Sequence, residues 1–319
     1  MKHITLGNTG IDISAIVFGG WQSGKGNWVG IEDTETIKAH QAALDNGITT
    51  FDTAEGYGSG HSEQVLAQAI GNRRDEIAIL TKVGPGNLAA AKVAEACERS
   101  LTNLGTDRID LYQIHWPAGT FNSPIVPIEE TMGALVKLKD QGKIRAIGVS
   151  NFTAAQIEEA TAFGRIDSVQ PPYSLFWRQI ERDVVPYALK NNLTVLAYSP
   201  LAQGLLTGKF GRDAHFEAGD IRLANVLFKG DNFERAQVAL DKLRGIASAK
   251  GVSLTELALA WLTGQPQVVA IVGARNAEQA TANANAGSVT LTAAEFAAID
   301  AIGRAVSDPL ANESPVQWQ

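Results

Sequence analysis

The sequence predicts that residues 1–319 form a single (β/α)8 barrel domain. Strand-like and helix-like runs alternate along the chain in about eight units, and strict alternation implies parallel strands joined by right-handed crossovers. Seven of the strand-like runs end beside residues that could bind or react, and all strand ends of a parallel barrel open onto one face. The length of 319 residues also suits a barrel with insertions, whose usual range is roughly 200 to 400 residues.

The chain opens on a predicted β-hairpin that precedes the barrel. Apolar and polar residues alternate over 4–13 around an Asn8-Thr9-Gly10 turn, which is the pattern of two short antiparallel strands. We expect this hairpin to plug the bottom of the barrel. Short apolar runs then predict the barrel strands at 15–18, 48–52, 77–81, 109–114, 144–149, 167–170, 193–198 and 268–272.

Helices alternate with these strands, and several carry start or stop signals. Capping boxes are predicted at Thr153 and Ser253, each followed three residues later by Gln or Glu. Glycines that tolerate left-handed backbone follow three helix ends, at Gly47, Gly142 and Gly251. The helices are predicted at 33–46, 62–70, 88–103, 128–140, 153–162, 181–191, 234–262 (more than one helix) and 276–286.

Two segments fall outside this alternation. Residues 200–233 are irregular and interrupt the last unit, and so long a loop in a compact domain is usually functional. A further helix is predicted at 293–303, after the eight units.

Composition and charge exclude several classes of protein. Lys and Arg total 27 against 34 Asp and Glu, so the net charge is −7, which argues against general affinity for nucleic acid or anionic membranes. No apolar run approaches the roughly 20 residues of a membrane span, and residues 1–5 lack the apolar core of a signal peptide. We therefore expect a cytoplasmic protein. Cys97 has no disulfide partner, and the histidines lack paired ligand spacing, so no metal site is expected.

Four residues at or after successive strand ends suit acid catalysis on an oxygen. Asp52, Tyr57, Lys82 and His115 come from three successive strand–helix loops, so the fold brings them together. The unperturbed pKa of tyrosine is about 10, and we expect the Lys82 ammonium to lower it while Asp52 keeps that ammonium charged and oriented. His115 is predicted to donate a hydrogen bond to a substrate carbonyl. Unrelated polar residues remain a plausible alternative for any one of them, but much less so for all four.

The segment 19–26, Gly-Gly-Trp-Gln-Ser-Gly-Lys-Gly, nearly matches a phosphate-binding P-loop. Gly26 stands where a Ser or Thr is needed to reach magnesium. The segment is therefore not interpreted as a nucleotide-hydrolysis site.

Several motifs resemble the aldo-keto reductase superfamily over essentially the whole chain. In the first half they are the segments 52–58, 81–82, 113–117 and 148–152, which include Asp-Thr-Ala-Glu-Gly-Tyr-Gly and Gly-Val-Ser-Asn-Phe. In the second half, 198–201, 204–209 and 271–275 resemble the bacterial branch related to potassium-channel β-subunits.

The resemblance implies a (β/α)8 barrel that binds an extended nicotinamide cofactor and reduces a small-molecule carbonyl substrate. It implies Tyr57 as the general acid, Lys82 and Asp52 as the pair that tunes it, and His115 as the residue that orients the carbonyl. For the nicotinamide end it implies Ser150, Asn151 and Gln170 on the carboxamide, with Tyr198 stacked on the ring and Ser199 beside it. For the rest of the cofactor it implies Leu201, Gly204, Leu206 and Lys209 around the pyrophosphate, and Gly273, Arg275, Gln279 and Asn283 around the adenosine.

One departure from the family pattern bears on the choice of cofactor. Some members carry Lys-Ser where this chain has Gly273-Ala274, so one familiar contact to the 2′-phosphate is absent. Arg275 can replace it, because a guanidinium pairs bidentately with phosphate. NADPH is therefore predicted in preference to NADH.

The aromatic residues near strand ends are candidates for the substrate pocket. Trp21 and Trp116 are predicted to wall an apolar substrate, together with Tyr57 and His115. Trp28, Phe121 and Trp177 are further candidates, and ordinary core packing explains each of these three and Trp21 equally well. The alternative to an active reductase is a cofactor-binding regulatory subunit with little turnover, as the channel-associated relatives suggest. The sequence predicts neither the oligomeric state nor the physiological substrate.

Overall fold

An antiparallel hairpin precedes a closed barrel in the computed structural model, which describes residues 1–26, 30–217 and 219–313. The hairpin pairs β1 (His3–Thr5) with β2 (Asp12–Ser14). Eight parallel strands follow in chain order, and the last closes onto the first. They are β3 (Ile16–Gly19), β4 (Thr50–Asp52), β5 (Ala78–Val83), β6 (Ile109–Ile114), β7 (Ile144–Ser150), β8 (Ser168–Gln170), β9 (Thr194–Ala197) and β10 (Val268–Val272).

The hairpin closes the amino-terminal end of the barrel, as predicted. Leu6 and Ile13 are fully buried and belong to the apolar cluster that fills the barrel interior. The Gly7 N–H donates to Thr194 Oγ1 over 2.8 Å, at the first residue of β9. The bottom of the barrel is therefore packed, and a ligand has to approach from the opposite end.

Helices cover the outside of the strands and bury an outer apolar layer. They are α1 (Asp33–Asp45), α2 (His61–Ile70), α3 (Ala90–Leu104), α4 (Ile128–Asp140), α5 (Ala154–Thr161), α6 (Val184–Lys190), α7 (Gly230–Lys250), α8 (Leu254–Thr263), α9 (Ala277–Ala286) and α10 (Ala293–Ser307). None of the helices in the described ranges is long and apolar enough to cross a membrane.

The predicted helix signals are confirmed. Thr153 and Ser253 form capping boxes, and Gly47, Gly142 and Gly251 all have positive φ. The main differences lie at element boundaries and in the irregular segment. Strand β5 extends through Lys82 to Val83, and the described part of segment 200–233 contains three short 3-10 turns and the first turn of α7.

The alternation of side chains along the strands selects the residues that face the interior. Successive strand residues point to opposite faces, so Lys82 shares the inner face with Leu80, two positions earlier on β5. The same parity places Asp52 and Gln170, the last residues of their strands, at the upper end of the interior. The strand carboxyl ends therefore present one ring of polar side chains above an apolar plug.

Candidate active site

A buried ion pair forms the base of the candidate site. Lys82 Nζ lies 2.6 Å from Asp52 Oδ1 and donates to the Thr53 carbonyl over 2.7 Å. Lys82 is 0% exposed and Asp52 is 4% exposed. Burying a lone charge is strongly unfavourable, so each residue depends on the other to remain inside the barrel.

Two glutamines satisfy the second oxygen of Asp52. Gln170 Nε2 donates to Asp52 Oδ2 over 2.8 Å, and Gln113 Nε2 donates to the same atom over 3.4 Å. Gln170 Nε2 also lies 3.2 Å from Gln113 Oε1. The amide nitrogen of Gln170 is thus directed at the carboxylate, which leaves its oxygen for the carboxamide contact predicted from the sequence. Sequence reasoning assigned no role to Gln113, although it faces inward two residues before His115.

Tyr57 and His115 lie next to this pair. Their rings meet edge to face, with centroids 5.6 Å apart and an interplanar angle of 76°. Lys82 Nζ lies 5.1 Å from the centre of the Tyr57 ring. The fold therefore brings together the four residues predicted from separate strand ends, which we call the strand-end group: Asp52, Tyr57, Lys82 and His115.

The electrostatics of the strand-end group differ from the sequence prediction at Tyr57. Burial and the negative charge of Asp52 raise the pKa of the Tyr57 phenol well above its usual range, whereas we expected Lys82 to lower it. Burial is the largest cause of the raised pKa, and Asp52, 2.6 Å from Lys82, offsets the positive charge that was expected to lower it. Burial lowers the pKa of Lys82 against the opposing effect of Asp52. Burial and the Lys82 charge lower the pKa of His115, so phenol and imidazole are both neutral near pH 7.

A second set of polar residues lines the next strand ends and is tied to the first. Ser150 Oγ donates to the Gln170 carbonyl over 2.8 Å. Asn151 Nδ2 donates to the His115 carbonyl over 3.1 Å, and the Tyr198 hydroxyl donates to Asn151 Oδ1 over 2.8 Å. These bonds fix the orientation of Asn151 and hold the outer end of the Tyr198 ring.

The chain after β9 makes a tight turn with left-handed residues. Ser199 and Gly204 have φ of 52° and 91°, and the N–H groups of Gly204 and Leu206 both donate to the Leu201 carbonyl. Leu206 as a whole is 1% exposed, so it supports the turn from inside. A Cβ at Gly204 would lie 3.3 Å from Phe210 Cε2 and 3.4 Å from Lys209 Cε, so the glycine packs against both side chains.

Three basic residues gather beyond this turn, and we call them the cation cluster: Lys209, Arg222 and Arg275. Burial, then the positive charges of Arg222 and Arg275, lower the pKa of Lys209. Arg222 Nε donates to Asp220 Oδ1 over 2.8 Å, and its guanidinium carbon lies 4.8 Å from the centre of the Phe210 ring. Sequence reasoning missed Arg222, because it sits within the irregular segment and follows no strand.

The loop after β10 packs closely against the loop after β3. A Cβ at Gly273 would lie 3.0 Å from Gln22 Oε1, a buried oxygen without a hydrogen-bond donor in the described ranges. Asn283 Nδ2 donates to the Gly273 carbonyl over 3.2 Å, and Gln279 Oε1 accepts from the Arg275 N–H over 3.0 Å. These contacts hold the two loops together next to the cation cluster.

Taken together, these strand ends and loops fit an extended dinucleotide. Amide and hydroxyl groups surround one end, where Tyr198 offers a flat aromatic face. The cation cluster at the other end suits phosphate groups. These are the kinds of donor, acceptor and charge that a nicotinamide cofactor requires.

The aromatic candidates for the substrate pocket lie in different surroundings. Trp116 lies beside His115, with ring centroids 6.4 Å apart, and meets Phe121 edge to face at 5.1 Å. Trp21 is half-buried in the loop after β3. Trp177 is fully buried within the outer apolar layer, which agrees with the core-packing alternative. Trp28 lies outside the described residues.

Comparison with curated relatives identifies the family to which these features belong. The family model described as the aldo/keto reductase family matches residues 15–304. The chain is 38% identical to an aldo-keto reductase of Bacillus subtilis (strain 168), over 98% of this chain and 97% of the relative. An NADH-specific methylglyoxal reductase of Escherichia coli (strain K12) is 33% identical, over 92% and 96%. A probable voltage-gated potassium channel subunit beta of Arabidopsis thaliana is also 33% identical, over 90% and 91%.

Solved structures match along the same length. A glycerol dehydrogenase from Gluconobacter oxydans is 34% identical with a TM-score of 0.88, covering 99% of this chain and 98% of that one. An aldo-keto reductase from Klebsiella pneumoniae in complex with NADPH is 30% identical with a TM-score of 0.78, covering 100% and 99%. This chain belongs to the aldo/keto reductase family, in a branch that has potassium-channel β-subunits among its relatives.

Proposed function

We propose that this protein reduces aldehydes or ketones to alcohols with NADPH, and that Tyr57 donates the proton. Membership of the family makes an oxidoreductase the expected activity. The observation that carries the finer proposal is the buried Asp52–Lys82 pair next to a protonated Tyr57 and a neutral His115. A hydroxyl and an imidazole N–H that face one space are suited to hold and protonate a carbonyl oxygen.

The roles of the residues follow from their protonation states. When bound, the reduced nicotinamide would supply the hydride for the carbonyl carbon. Tyr57 transfers its phenolic proton to the oxygen as that atom gains negative charge. Lys82 lies close enough to stabilise the phenolate left behind, and the neutral His115 donates a hydrogen bond to the same carbonyl oxygen. Asp52, held by Gln113 and Gln170, fixes the position of the Lys82 ammonium.

The preference for NADPH over NADH rests on the cation cluster. We assign the carboxamide to Ser150, Asn151 and Gln170, and the ring to Tyr198 with Ser199 beside it. The remaining residues would hold the phosphates and the adenosine: Leu201, Gly204, Leu206, Lys209, Gly273, Arg275, Gln279 and Asn283. Arg222 is added to this set, because its charge, like that of Arg275, lies near Lys209. One relative is named NADH-specific, so cofactor preference varies among similar chains and needs direct measurement here.

A second candidate function is a cofactor-binding regulatory subunit with little turnover. The relative named as a potassium channel subunit beta favours it. The complete strand-end group favours turnover, since a protein that only binds a cofactor does not require a buried Lys–Asp pair beside a tyrosine.

Steady-state oxidation of NADPH with a panel of aldehydes and ketones separates the two functions. We expect turnover by the wild-type protein. Tyr57→Phe should lower kcat by about 10²- to 10⁴-fold, the usual contribution of general acid catalysis, with little change in the Kd for NADPH. Tyr187→Phe, on α6, is the matched control and should retain wild-type kcat. Near-normal kcat in Tyr57→Phe, where chemistry limits the rate, would remove Tyr57 as the acid, and no turnover of any carbonyl by the wild type would favour the regulatory subunit.

A further inference from the structure

Glu55 lies two residues before Tyr57 but directs its side chain to a different part of the molecule. Glu55 Oε1 accepts hydrogen bonds from the Gly84 N–H over 2.9 Å and from Asn87 Nδ2 over 2.8 Å. Its other oxygen, Oε2, lies 3.0 Å from Arg99 Nη2 on α3. The Glu55 side chain is 12% exposed. It therefore ties the loop that carries Tyr57 to the loop that follows β5.

The opposite side of the Tyr57 loop is in close contact with the glycine-rich segment 19–26. Gly58 has a φ of +64°, and a Cβ there would lie 2.4 Å from the Gly24 carbonyl oxygen. A Cβ at Gly24 would in turn lie 2.6 Å from the Tyr57 carbonyl carbon. The Tyr57 backbone is thus held between the Gly24 backbone on one side and the contacts of Glu55 on the other.

The backbone hydrogen bond between the Tyr57 loop and β5 is weaker than these side-chain contacts. The Glu55 N–H donates to the Lys82 carbonyl over 3.4 Å, which is long for an N–H···O bond. Closer to the barrel, the Thr53 N–H donates to the Leu80 carbonyl over 2.8 Å. Beyond Thr53, the Glu55 carboxylate supplies the shorter contacts to the elements around Lys82.

We propose that Glu55 is a positioning residue that holds the Tyr57 phenol in register with Lys82 and His115. The inference rests on the proposed function, because it affects the reaction only if Tyr57 is the proton donor. A misplacement of about 1 Å can reduce a rate by about 100-fold. A loop held at two points limits such displacement before the substrate binds.

The contacts indicate which carboxylate oxygen of Glu55 holds the Tyr57 loop in place. Arg99 is 51% exposed, and ion pairs in water contribute little. The two neutral donors on Oε1 are partly buried and link the loops directly. Because glutamine keeps an oxygen at this position, Glu55→Gln should preserve the positioning, whereas Glu55→Ala should lose it.

Single-turnover oxidation of saturating NADPH by an aldehyde tests the proposal, with the full-length protein and five variants: Glu55→Ala, Glu55→Gln, Arg99→Ala, Tyr57→Phe and the Glu55→Ala/Tyr57→Phe double variant. Glu55→Ala should lower the rate about 10- to 100-fold and leave the Kd for NADPH unchanged. Glu55→Gln and Arg99→Ala should stay near the wild-type rate. In the Tyr57→Phe background, Glu55→Ala should have little further effect, because its action passes through the phenol.

An equal rate loss from Glu55→Ala with and without Tyr57 would overturn the inference, as would a near-wild-type rate in Glu55→Ala alone. A loss in Glu55→Gln as large as in Glu55→Ala would also contradict the role assigned to Oε1. If Glu55→Ala fails to fold, Asn87→Ala removes one Oε1 donor instead: a rate loss that is absent in the Tyr57→Phe background supports the inference, and a wild-type rate overturns it. A wild-type rate in Tyr57→Phe would instead refute the proposed function, so the two failures are distinguishable.

Discussion

The strand-end group and the cation cluster differ in how their charges are balanced. Asp52 and Lys82 are at most 4% exposed, sit on adjacent strands and satisfy each other's charge. The cation cluster lies on irregular loops, where Arg222 and Arg275 lower the pKa of Lys209. The first arrangement is complete before any ligand binds, while the second groups three cations, of which Arg222 is paired with Asp220, and we expect a bound anion to complete it. We therefore expect the strand-end group to control the rate and the cation cluster to control affinity.

The largest expected effect is on the strand-end group. Lys82→Met leaves Asp52 buried without its cation, and removing one partner of a buried ion pair typically lowers stability by about 3 to 5 kcal/mol. Carbonyl reduction should also fall sharply. Urea unfolding and steady-state rates measure both effects.

Lys38→Met is the control for that change, because Lys38 pairs with Glu35 on an exposed helix face. Exposed pairs contribute about 0 to 1 kcal/mol. Equal losses of stability in the two variants would show that the buried Lys82 ammonium contributes no more to the free energy of unfolding than an exposed lysine does.

A smaller effect is expected from the cation cluster. If Arg275 binds the 2′-phosphate, Arg275→Ala should weaken NADPH more than NADH by about 1.5 to 3 kcal/mol, the usual contribution of a hydrogen bond to a charged group. Quenching of intrinsic fluorescence gives both dissociation constants. Arg212→Ala is a control, since Arg212 pairs with Glu234 and Asp241 instead. Equal losses for the two cofactors would exclude Arg275 from reading the phosphate, and tighter NADH binding by the wild type would overturn the NADPH assignment.

The rate of carbonyl reduction should be almost independent of pH near neutrality. The pKa of His115 is held well below its usual value, so the imidazole stays neutral as pH falls towards about 6. The pKa of Tyr57 is raised, so the phenol keeps its proton as pH rises towards about 10. Single-turnover rates from about pH 6 to 9 should lie on a plateau. An acid limb near pH 6.5 that disappears in His115→Gln would contradict the lowered pKa.

The difference between the strand-end group and the cation cluster also explains which parts of the candidate site could be predicted from the sequence. The barrel and the strand-end group follow from regular alternation, because strand order and side-chain parity determine where Asp52, Lys82 and His115 converge. The direction of the Tyr57 pKa shift does not follow from residue types. It depends on burial and on how closely Asp52 offsets Lys82, and both are properties of the packed structure.

The irregular segment was the least predictable part of the candidate site. Arg222 sits in a short 3-10 turn, Ile221–Ala224, and the sequence around it carries no periodic pattern. Its place in the cation cluster depends on the folded path between β9 and α7. Gln113 is different, because its inward parity two residues before His115 was readable from the β6 pattern.

Single-turnover hydride transfer at saturating NADPH, compared between Tyr57→Phe and Arg275→Ala, tests the separation of rate from affinity most directly. Tyr57→Phe should slow the step by about 10²- to 10⁴-fold. Arg275→Ala should react within about twofold of the wild type, because a contact equally strong in the ground and transition states affects binding alone. A wild-type rate in Tyr57→Phe, or a loss in Arg275→Ala as large as that in Tyr57→Phe, would contradict the account.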